Sequence, residues 1–127
     1  MGFDGVRTIG QIHVSVSDID RSVAFYRDVL GARFLFQVPG RPMAFFDVGG
    51  VRLYLGSPES PDFHSSPVLY FTVDDVDDAY RVLGERGVEF LDAPHVVNRT
   101  DSSELWMAFF RDPDGTNLAV MEDRATP

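Results

Sequence analysis

Three polar side chains alternate along a short stretch near the N-terminus and could form one wall of a ligand site. In QIHVSVSD, residues 11–18, Gln11, His13 and Ser15 share one face of a predicted strand, and the apolar residues between them share the other face. An imidazole on such a face can act as a general base or hydrogen-bond to a ligand. The alternative is a structural histidine held by a neighbour such as Ser15. We expect this face to contact a ligand rather than bulk solvent.

A repeat places further chemistry-bearing side chains on equivalent faces. The sequence around Asp18 recurs around Asp75, 57 positions later, and this offset aligns His13 with Tyr70. Tyr70 and Tyr54 could stack on a flat ligand, or they could simply fill space. Arg52 shares a face with Tyr54 and could pair with a ligand carboxylate, the alternative being a salt bridge at the rim of the sheet.

Three further candidates lie in DAPHVVNRTDSSELW, residues 92–106, which is long for a hairpin connection in a compact domain. They are His95, Glu104 and Trp106. Trp106 could stack on an aromatic ligand or belong to the core. Strand alternation puts Glu104 and Trp106 on one face but leaves open which face that is. His64, in the Ser/Pro-rich linker, is expected to be exposed.

The elements that must position these residues follow the order βαβββ twice. Module one covers about residues 8–57, a linker covers 58–66, and module two covers about 67–123. Asp18 and Asp75 are predicted to cap the two helices. The strands after the helices are expected at about 33–38, 43–48 and 51–56, and at about 88–91, 104–110 and 116–121. This predicts an α+β domain in which the modules form a curved eight-stranded mixed sheet, with a ligand cup inside and the helices outside.

Composition excludes several classes of function. The 127 residues carry a net charge of −9 and include no cysteine, which excludes disulfides, zinc fingers and thiol nucleophiles. No basic stripe is present to bind nucleic acid, and no apolar run is long enough to span a membrane. No leader sequence is recognisable, so a cytoplasmic location is expected. The acidic balance is interpreted first as a source of solubility, and a preference for a cationic ligand is the alternative.

Three segments carry a resemblance to a known family: VSDIDRSVAFYRDVLG at 16–31, VDDVDDAYRVLGERGVEF at 73–90, and FFRDPDGTNLAVME at 109–122. The sequence resembles the vicinal oxygen chelate superfamily. That group includes glyoxalase I, methylmalonyl-CoA epimerase, extradiol dioxygenases, fosfomycin-resistance enzymes and bleomycin-resistance proteins. The resemblance implies the paired βαβββ fold and a homodimer. One scaffold hosts several chemistries, so it does not by itself imply an activity.

The resemblance also implies where a metal would bind. In metal-dependent members, each half supplies one ligand from its first strand and one from its last. The matching positions here are Gln11, Tyr54, Val68 and Ala119. Glutamine can bind a metal and tyrosine does so rarely, but valine and alanine have no donor atom. We therefore expect no metal and no cofactor.

The sequence thus predicts a metal-free small-molecule binding protein of the glyoxalase/bleomycin-resistance type, with an aromatic or cationic ligand. One alternative is a glyoxalase-like lyase or isomerase that uses His13 or His95, or a metal held in a non-standard way through Gln11, His13 and loop residues. Another is a domain that only binds other proteins. Whether the modules pair within a chain or swap between chains stays open. The predicted ligand-contacting residues are Gln11, His13, Ser15, Arg52, Tyr54, Val68, Tyr70, His95, Glu104, Trp106 and Ala119.

Overall fold

The computed structural model describes residues 2–126 and contains both βαβββ modules. Module one consists of β1 (Gln11–Ser15), α1 (Ile19–Ala24, continued by a π-helical turn, Phe25–Val29), β2 (Arg33–Gln37), β3 (Met43–Val48) and β4 (Val51–Gly56). A short 3₁₀ turn, Pro61–Phe63, lies in the linker. Module two consists of β5 (Leu69–Thr72), α2 (Val76–Glu85), β6 (His95–Arg99), β7 (Ser103–Arg111) and β8 (Asn117–Ala125).

The strands are divided between two sheets with the same topology. The order is β1-β4-β3-β2 in one sheet and β5-β8-β7-β6 in the other. In each sheet the first strand of the module runs parallel to the last, and the other neighbours are antiparallel. The predicted α+β class and the two βαβββ modules are confirmed. The expected eight strands are hydrogen-bonded as two four-stranded sheets.

Both helices begin at the aspartates that the sequence indicated. The Asp18 carboxylate accepts a hydrogen bond from the Arg21 backbone N–H, and the Asp75 carboxylate accepts from Asp77 N and Asp78 N. These side chains satisfy N–H groups that would otherwise lack partners in the first helical turn. Gly31 follows the end of the first helix with φ of +74°, a conformation that glycine adopts without strain.

One predicted strand is misplaced. The sequence indicated a strand at about 88–91, but only Phe90 forms an isolated bridge there, to Phe110. The strand that pairs with β7 is His95–Arg99. Leu91 N donates to the Phe109 carbonyl oxygen at 2.7 Å, but Phe109 N donates to the Asp92 carboxylate, so backbone pairing between these two segments ends after one bridge. The segment 92–106 is therefore mostly a β-hairpin and not a long loop.

A single core joins the two modules within the chain. It includes Val14 and Leu55 from the first sheet, Phe110 and Leu118 from the second sheet, and Tyr26 from the turn that continues α1, all fully buried. In each sheet, the side that packs against the helices faces this core. The opposite side of each sheet, which carries His13 in one sheet and Tyr70 in the other, therefore points away from the core. Within residues 2–126, neither helix has the length and apolar character needed to cross a membrane.

Candidate functional site

Four aromatic rings form a row across the first sheet on the side opposite the helices. The register pairs His13 with Tyr54 and Tyr54 with Phe45, and Phe45 is paired with Phe36 on the outer strand. Successive ring centroids are 4.6, 5.0 and 4.9 Å apart, with interplanar angles of 30°, 17° and 33°. We call these four residues the aromatic row. Because each ring packs against the next, the free ring faces lie at the two ends of the row, His13 and Phe36.

Gly56 positions both rings at the His13 end of the row: it leaves room for the Tyr54 ring and accepts a hydrogen bond from His13. A Cβ atom there would lie 2.6 Å from Cε1 of Tyr54 and 2.8 Å from the Pro42 carbonyl oxygen, so only glycine leaves room for the tyrosine ring. Nε2 of His13 donates to the Gly56 carbonyl oxygen at 3.1 Å. The proton therefore sits on Nε2 in the neutral ring, and Nδ1 is the nitrogen that can accept one.

The alternative partner considered for His13, Ser15, has another role. Its hydroxyl accepts a hydrogen bond from Ser65 N at 2.8 Å, and its own N–H donates to the Ser65 carbonyl oxygen. Ser15 is nearly buried by this contact. Ser15 therefore attaches the linker to the edge of β1, and a ligand contact by Ser15 stays a prediction from the sequence.

A small cavity of about 180 Å³ adjoins the His13 end of the row. Gln11, His13 and Tyr54 line it from the sheet, and Glu59 and Phe63 line it from the linker. Phe63 is 60% exposed. Sequence reasoning missed both linker residues, because the linker has no periodicity from which a facing could be assigned. The cavity combines aromatic walls with one carboxylate and one carboxamide, a mixture typical of ligand sites.

Arg52 lies beside the row and stacks on it. Its guanidinium carbon is 5.6 Å from the centroid of the Phe45 ring, within the range of a cation–π contact. Asp47, its cross-strand neighbour, forms an ion pair with Arg33 at 3.9 Å instead. No ion pair of Arg52 occurs within residues 2–126. The alternative of a rim salt bridge is therefore not the observed arrangement.

The second sheet carries an equivalent but interrupted row. Tyr70 pairs with Ala119, and Ala119 pairs with Phe109, in the register that places His13, Tyr54 and Phe45 side by side in module one. The centroids of Tyr70 and Phe109 are 6.0 Å apart at 83°, and that of His95 lies 6.4 Å from Phe109. Tyr70 is 49% exposed, whereas Ala119 is fully buried. The second row therefore lacks the middle ring of the first, and Tyr70 and Phe109 contact each other edge to face beside the buried Ala119.

Glu104 and Trp106 lie on the helix-packed side of β7. That side also carries Ala108 and Phe110, which are fully buried. Nε1 of Trp106 donates to Glu104 Oε1 at 3.2 Å, and the guanidinium carbon of Arg124 lies 4.4 Å from the centroid of the Trp106 ring. This placement decides which side of β7 carries Glu104 and Trp106, and it is not the side that carries Phe109.

Hydrogen bonds from neighbouring side chains on this side of the sheet stabilise the ionised carboxylate of Glu104. Nε of Arg99 donates to Oε2 at 2.7 Å, and this bond, followed by the one from Trp106, lowers the pKa of Glu104 from its ordinary value. The remaining candidate in this part of the chain, His95, is on the opposite side, where its Nδ1 contacts the Ala93 carbonyl oxygen at 2.9 Å. His64 is exposed in the linker, as expected.

The comparisons with known proteins agree with the fold. Residues 8–120 match the family model of the Glyoxalase/Bleomycin resistance protein/Dioxygenase superfamily. The chain belongs to this superfamily. A solved member from Sphaerobacter thermophilus DSM 20745 has 25% identity and a TM-score of 0.75, with 92% of this chain and 98% of that one covered.

Two other relatives of this superfamily member bear more informative names. The chain is 35% identical to metallothiol transferase FosB of Staphylococcus epidermidis, over 94% of this chain and 88% of the relative. The structure of TnmS3, described as an antibiotic binding protein from Streptomyces sp. CB03234, has 25% identity and a TM-score of 0.74. The alignment covers 94% of this chain and 98% of TnmS3.

The residues at the superfamily's metal positions do not fit a metal ion. Among residues 2–126 no group of three or more histidine, aspartate or glutamate side chains is close enough to hold one. Gln11 belongs to the first sheet, whereas Val68 directly precedes β5 and Ala119 lies within β8 of the second sheet. The two sheets turn these sides away from their common core. Only Gln11 and Tyr54 carry a donor atom, which is fewer than a divalent ion requires.

Proposed function

We propose that this superfamily member is a small-molecule binding protein that takes an aromatic ligand at the His13 end of the aromatic row, without a metal. The observation that carries the proposal is the stack of rings ending beside an open cavity. A ligand ring in this cavity would continue the stack, with His13 on one side and Phe63 nearby. Offset stacking of this kind contributes about 0.5–1.5 kcal/mol beyond the burial of area.

The polar residues of the cavity indicate which ligands fit. Glu59 supplies a negative charge and Gln11 supplies both a donor and an acceptor. The net charge of the chain, −9, adds to the preference for a positive ligand. A ring bearing an amine therefore suits this end of the row, whereas Arg52, further along at Phe45, offers a contact for an anionic group. The description of TnmS3 as an antibiotic binding protein supports a ligand of natural-product type.

We also propose that the protein is a homodimer. The aromatic row and the interrupted row lie on outward-facing surfaces of one chain, and Phe36 and Tyr70 on them are about half exposed, at 47% and 49%. A second copy that sets one row opposite the other would bury these rings and close a cup between two chains. The cytoplasmic location stays a prediction from the sequence.

A metal-dependent thiol transfer is the second candidate function, and the identity to FosB favours it. The chain has no cysteine, so any thiol would be an external co-substrate. A metal would need donors outside the superfamily positions. Gln11, His13 and Glu59 share one cavity and are the residues through which a non-standard site would form. A lyase or isomerase that uses His13 or His95 without a metal is the remaining alternative, and turnover that is lost in His13→Ala or His95→Ala would support it.

Two measurements separate these functions. Binding of phenethylamine, with 2-phenylethanol as its neutral analogue, is followed by chemical-shift changes in labelled protein. Phe63→Ala should weaken binding of both probes by about tenfold, and Glu59→Gln should weaken only that of the amine. Phe3→Ala is the matched control, because Phe3 is 85% exposed and outside the cavity.

The metal content of protein prepared without chelators is measured alongside. If Phe63→Ala and Phe3→Ala bind the probes equally well, the row does not hold the ligand. A stoichiometric Zn²⁺, Ni²⁺ or Mn²⁺ that is lost in Gln11→Ala or Glu59→Gln would instead support the metal-dependent transferase.

A further inference from the structure

The repeat creates two equivalent junctions between the modules, and one of them is tightly closed. There, the β7–β8 loop meets the start of α1. Ser17 donates from its N–H and its hydroxyl to Asp114 Oδ1, and the Ser22 hydroxyl donates to Asp114 Oδ2 at 3.4 Å. Deeper in the junction, the Tyr26 hydroxyl donates to Asp112 Oδ2 at 2.8 Å. Tyr26, Ser22 and Asp112 are buried by these contacts, so the space between the start of α1 and the β7–β8 loop is occupied by side chains. A separate cavity of about 400 Å³ lies on the outer side of this loop, next to Phe25 and Pro113.

At the second junction the β3–β4 turn meets the start of α2, and every one of these fillers is missing. The offset of the repeat aligns Ser17 with Asp74, Ser22 with Ala79, and Tyr26 with Leu83. The connection between the strands is also shorter. Only Gly49 and Gly50 separate the last paired residues of β3 and β4, whereas residues 112–116 separate those of β7 and β8. The large buried ring and the aspartate loop thus have no counterpart here.

The missing groups leave a cavity of about 550 Å³, which we call the junction cavity. Asp74, Ala79 and Leu83 line it together with Val48 and Gly49 of the turn. This volume is about three times that of the cavity at the aromatic row and falls in the range of small-molecule sites. It lies on the helix-packed side of the sheets, away from the aromatic row.

The walls and the rim of the junction cavity differ in chemistry. The walls are apolar and include Leu30, Phe71, Val82 and Val120. The rim carries four aspartates and two arginines: Asp47, Asp74, Asp75, Asp78, Arg33 and Arg86.

Most of these charges already have partners. Asp75 caps α2, Asp78 pairs with Arg81, and Arg86 donates to the Val29 carbonyl oxygen at 2.8 Å. Asp47 and Arg33 pair with each other. Asp74 has no side-chain hydrogen bond or ion pair within residues 2–126, and it is exposed. Arg86 keeps its positive charge at the rim, but Asp74 and Asp75 both lack a cationic partner within residues 2–126, so the net charge of the rim is negative beside an apolar chamber.

We propose that the junction cavity is a second small-molecule site and that its ligand is an apolar molecule ending in a protonated amine. The apolar part takes the volume that Tyr26 and the β7–β8 loop fill in the other junction. The ammonium group lies at the rim beside Asp74, in a field set by the excess of aspartates. The site is independent of the aromatic row, since it uses the other side of both sheets.

The test compares three probes of one size: 1-naphthylmethylamine, 1-naphthalenemethanol and 1-naphthoate. Chemical-shift changes in labelled protein should map to α2 and the β3–β4 turn, with the amine bound about tenfold more tightly than the carboxylate. Affinity for the junction cavity is read only from the shifts of α2 and the β3–β4 turn, because the aromatic row can also take an aromatic amine. Ala79→Phe puts a ring into the cavity and should abolish the shift changes of these residues with the amine and the alcohol. Asp74→Asn should weaken binding of the amine to the level of the alcohol and leave the alcohol unchanged. Phe63→Ala, which alters only the row cavity, should leave the three affinities for the junction cavity unchanged.

Several results would overturn the proposal. One is equal affinity for the amine and the carboxylate, and another is binding that survives both Ala79→Phe and Asp74→Asn. A third is binding that disappears in Phe63→Ala, which would assign the probes to the aromatic row. If Ala79→Phe fails to fold, Asp74→Asn still decides, because Asp74 is exposed and outside the core. If the wild type does not bind the probes but a variant without residues 2–9 does, the N-terminal segment occupies the cavity and the proposal fails.

Discussion

Replacement of Tyr26 by phenylalanine tests how the two modules are held together. Tyr26 is fully buried in module one, and its hydroxyl donates to Asp112 Oδ2 in module two at 2.8 Å. The other oxygen of Asp112 accepts from Asp114 N and Thr116 N. Tyr26→Phe keeps the ring and its contact with Phe46, so the burial of apolar area is unchanged. What is lost is one hydrogen bond to a buried carboxylate.

The size of the loss follows from the charge on the acceptor. A hydrogen bond to a charged group contributes about 1.5–3 kcal/mol, and the remaining oxygen of Asp112 would be left without a donor. We expect the free energy of unfolding to fall by about 2 kcal/mol. With a slope of about 2 kcal/mol per molar urea, the midpoint should move down by about 1 M at unchanged slope. Tyr80→Phe is the control, because Tyr80 lies at the surface of α2 and no hydrogen bond of its hydroxyl is present within residues 2–126.

The same pair predicts a change in stability at alkaline pH. Burial and then the negative charge of Asp112 raise the pKa of Tyr26 far above its ordinary value of 10.0. Above pH 10 the unfolded chain loses this proton while the folded chain keeps it. The unfolded state then binds fewer protons, so stability falls by about 1.4 kcal/mol per pH unit.

The phenylalanine variant lacks this loss, so the advantage of the wild type should shrink as the pH rises through about 10 and beyond. Two results would contradict the assignment. One is an unfolding free energy within about 0.5 kcal/mol of the wild type at neutral pH. The other is a difference between the two proteins that stays constant into the alkaline range.

Three further predictions concern the outward-facing surfaces. His13→Ala and Tyr70→Ala should weaken ligand binding. They should lower the free energy of unfolding by clearly less than the roughly 3–5 kcal/mol that truncation of a core aromatic costs. If Tyr70→Ala does not fold, Tyr70 is a core residue. Sedimentation should give a dimer at micromolar protein, and a monomer mass that is independent of concentration would exclude it. The double change Val68→His with Ala119→Glu should create a Zn²⁺ or Ni²⁺ site, measured by calorimetry, in the dimer alone. Its third donor, Gln11, would come from the other chain, and metal binding by a monomer would show otherwise.

The internal repeat made most of the fold predictable. Two aspartates followed by helical spacing located both helices, and alternation around His13 assigned the correct sides of β1 and β4. These predictions succeed because capping and alternation are local properties of the sequence. The strand at His95–Arg99 was missed for the converse reason. Its position depends on Asp92 bonding to Phe109 N, a contact between segments 17 residues apart that no periodicity signals.

The candidate site was predictable in part only. The alternation that placed Tyr54 beside His13 says nothing about Phe45 and Phe36, which join the row through strand pairing. Glu59 and Phe63 reach the cavity through the path of the linker, which Ser65 fixes by its bonds to β1. Trp106 could not be assigned to a side because the register of β7 was unknown.

Equivalent positions of the two modules show where ligands have room. The first module carries a phenol ring at two places where the second module carries a smaller side chain: Tyr54 in its row and Tyr26 in its junction. The second module carries Ala119 and Leu83 at these positions. Tyr26 occupies its junction, whereas the second module lacks the middle ring of its row and has a cavity at its junction. If two chains face each other row to row, the shorter row of the second module lies opposite the continuous row of the first, and the space between them is shaped by both halves of the repeat. The junction cavity needs no second chain, since both of its walls belong to one core. Dimer-breaking substitutions should therefore separate the two binding activities.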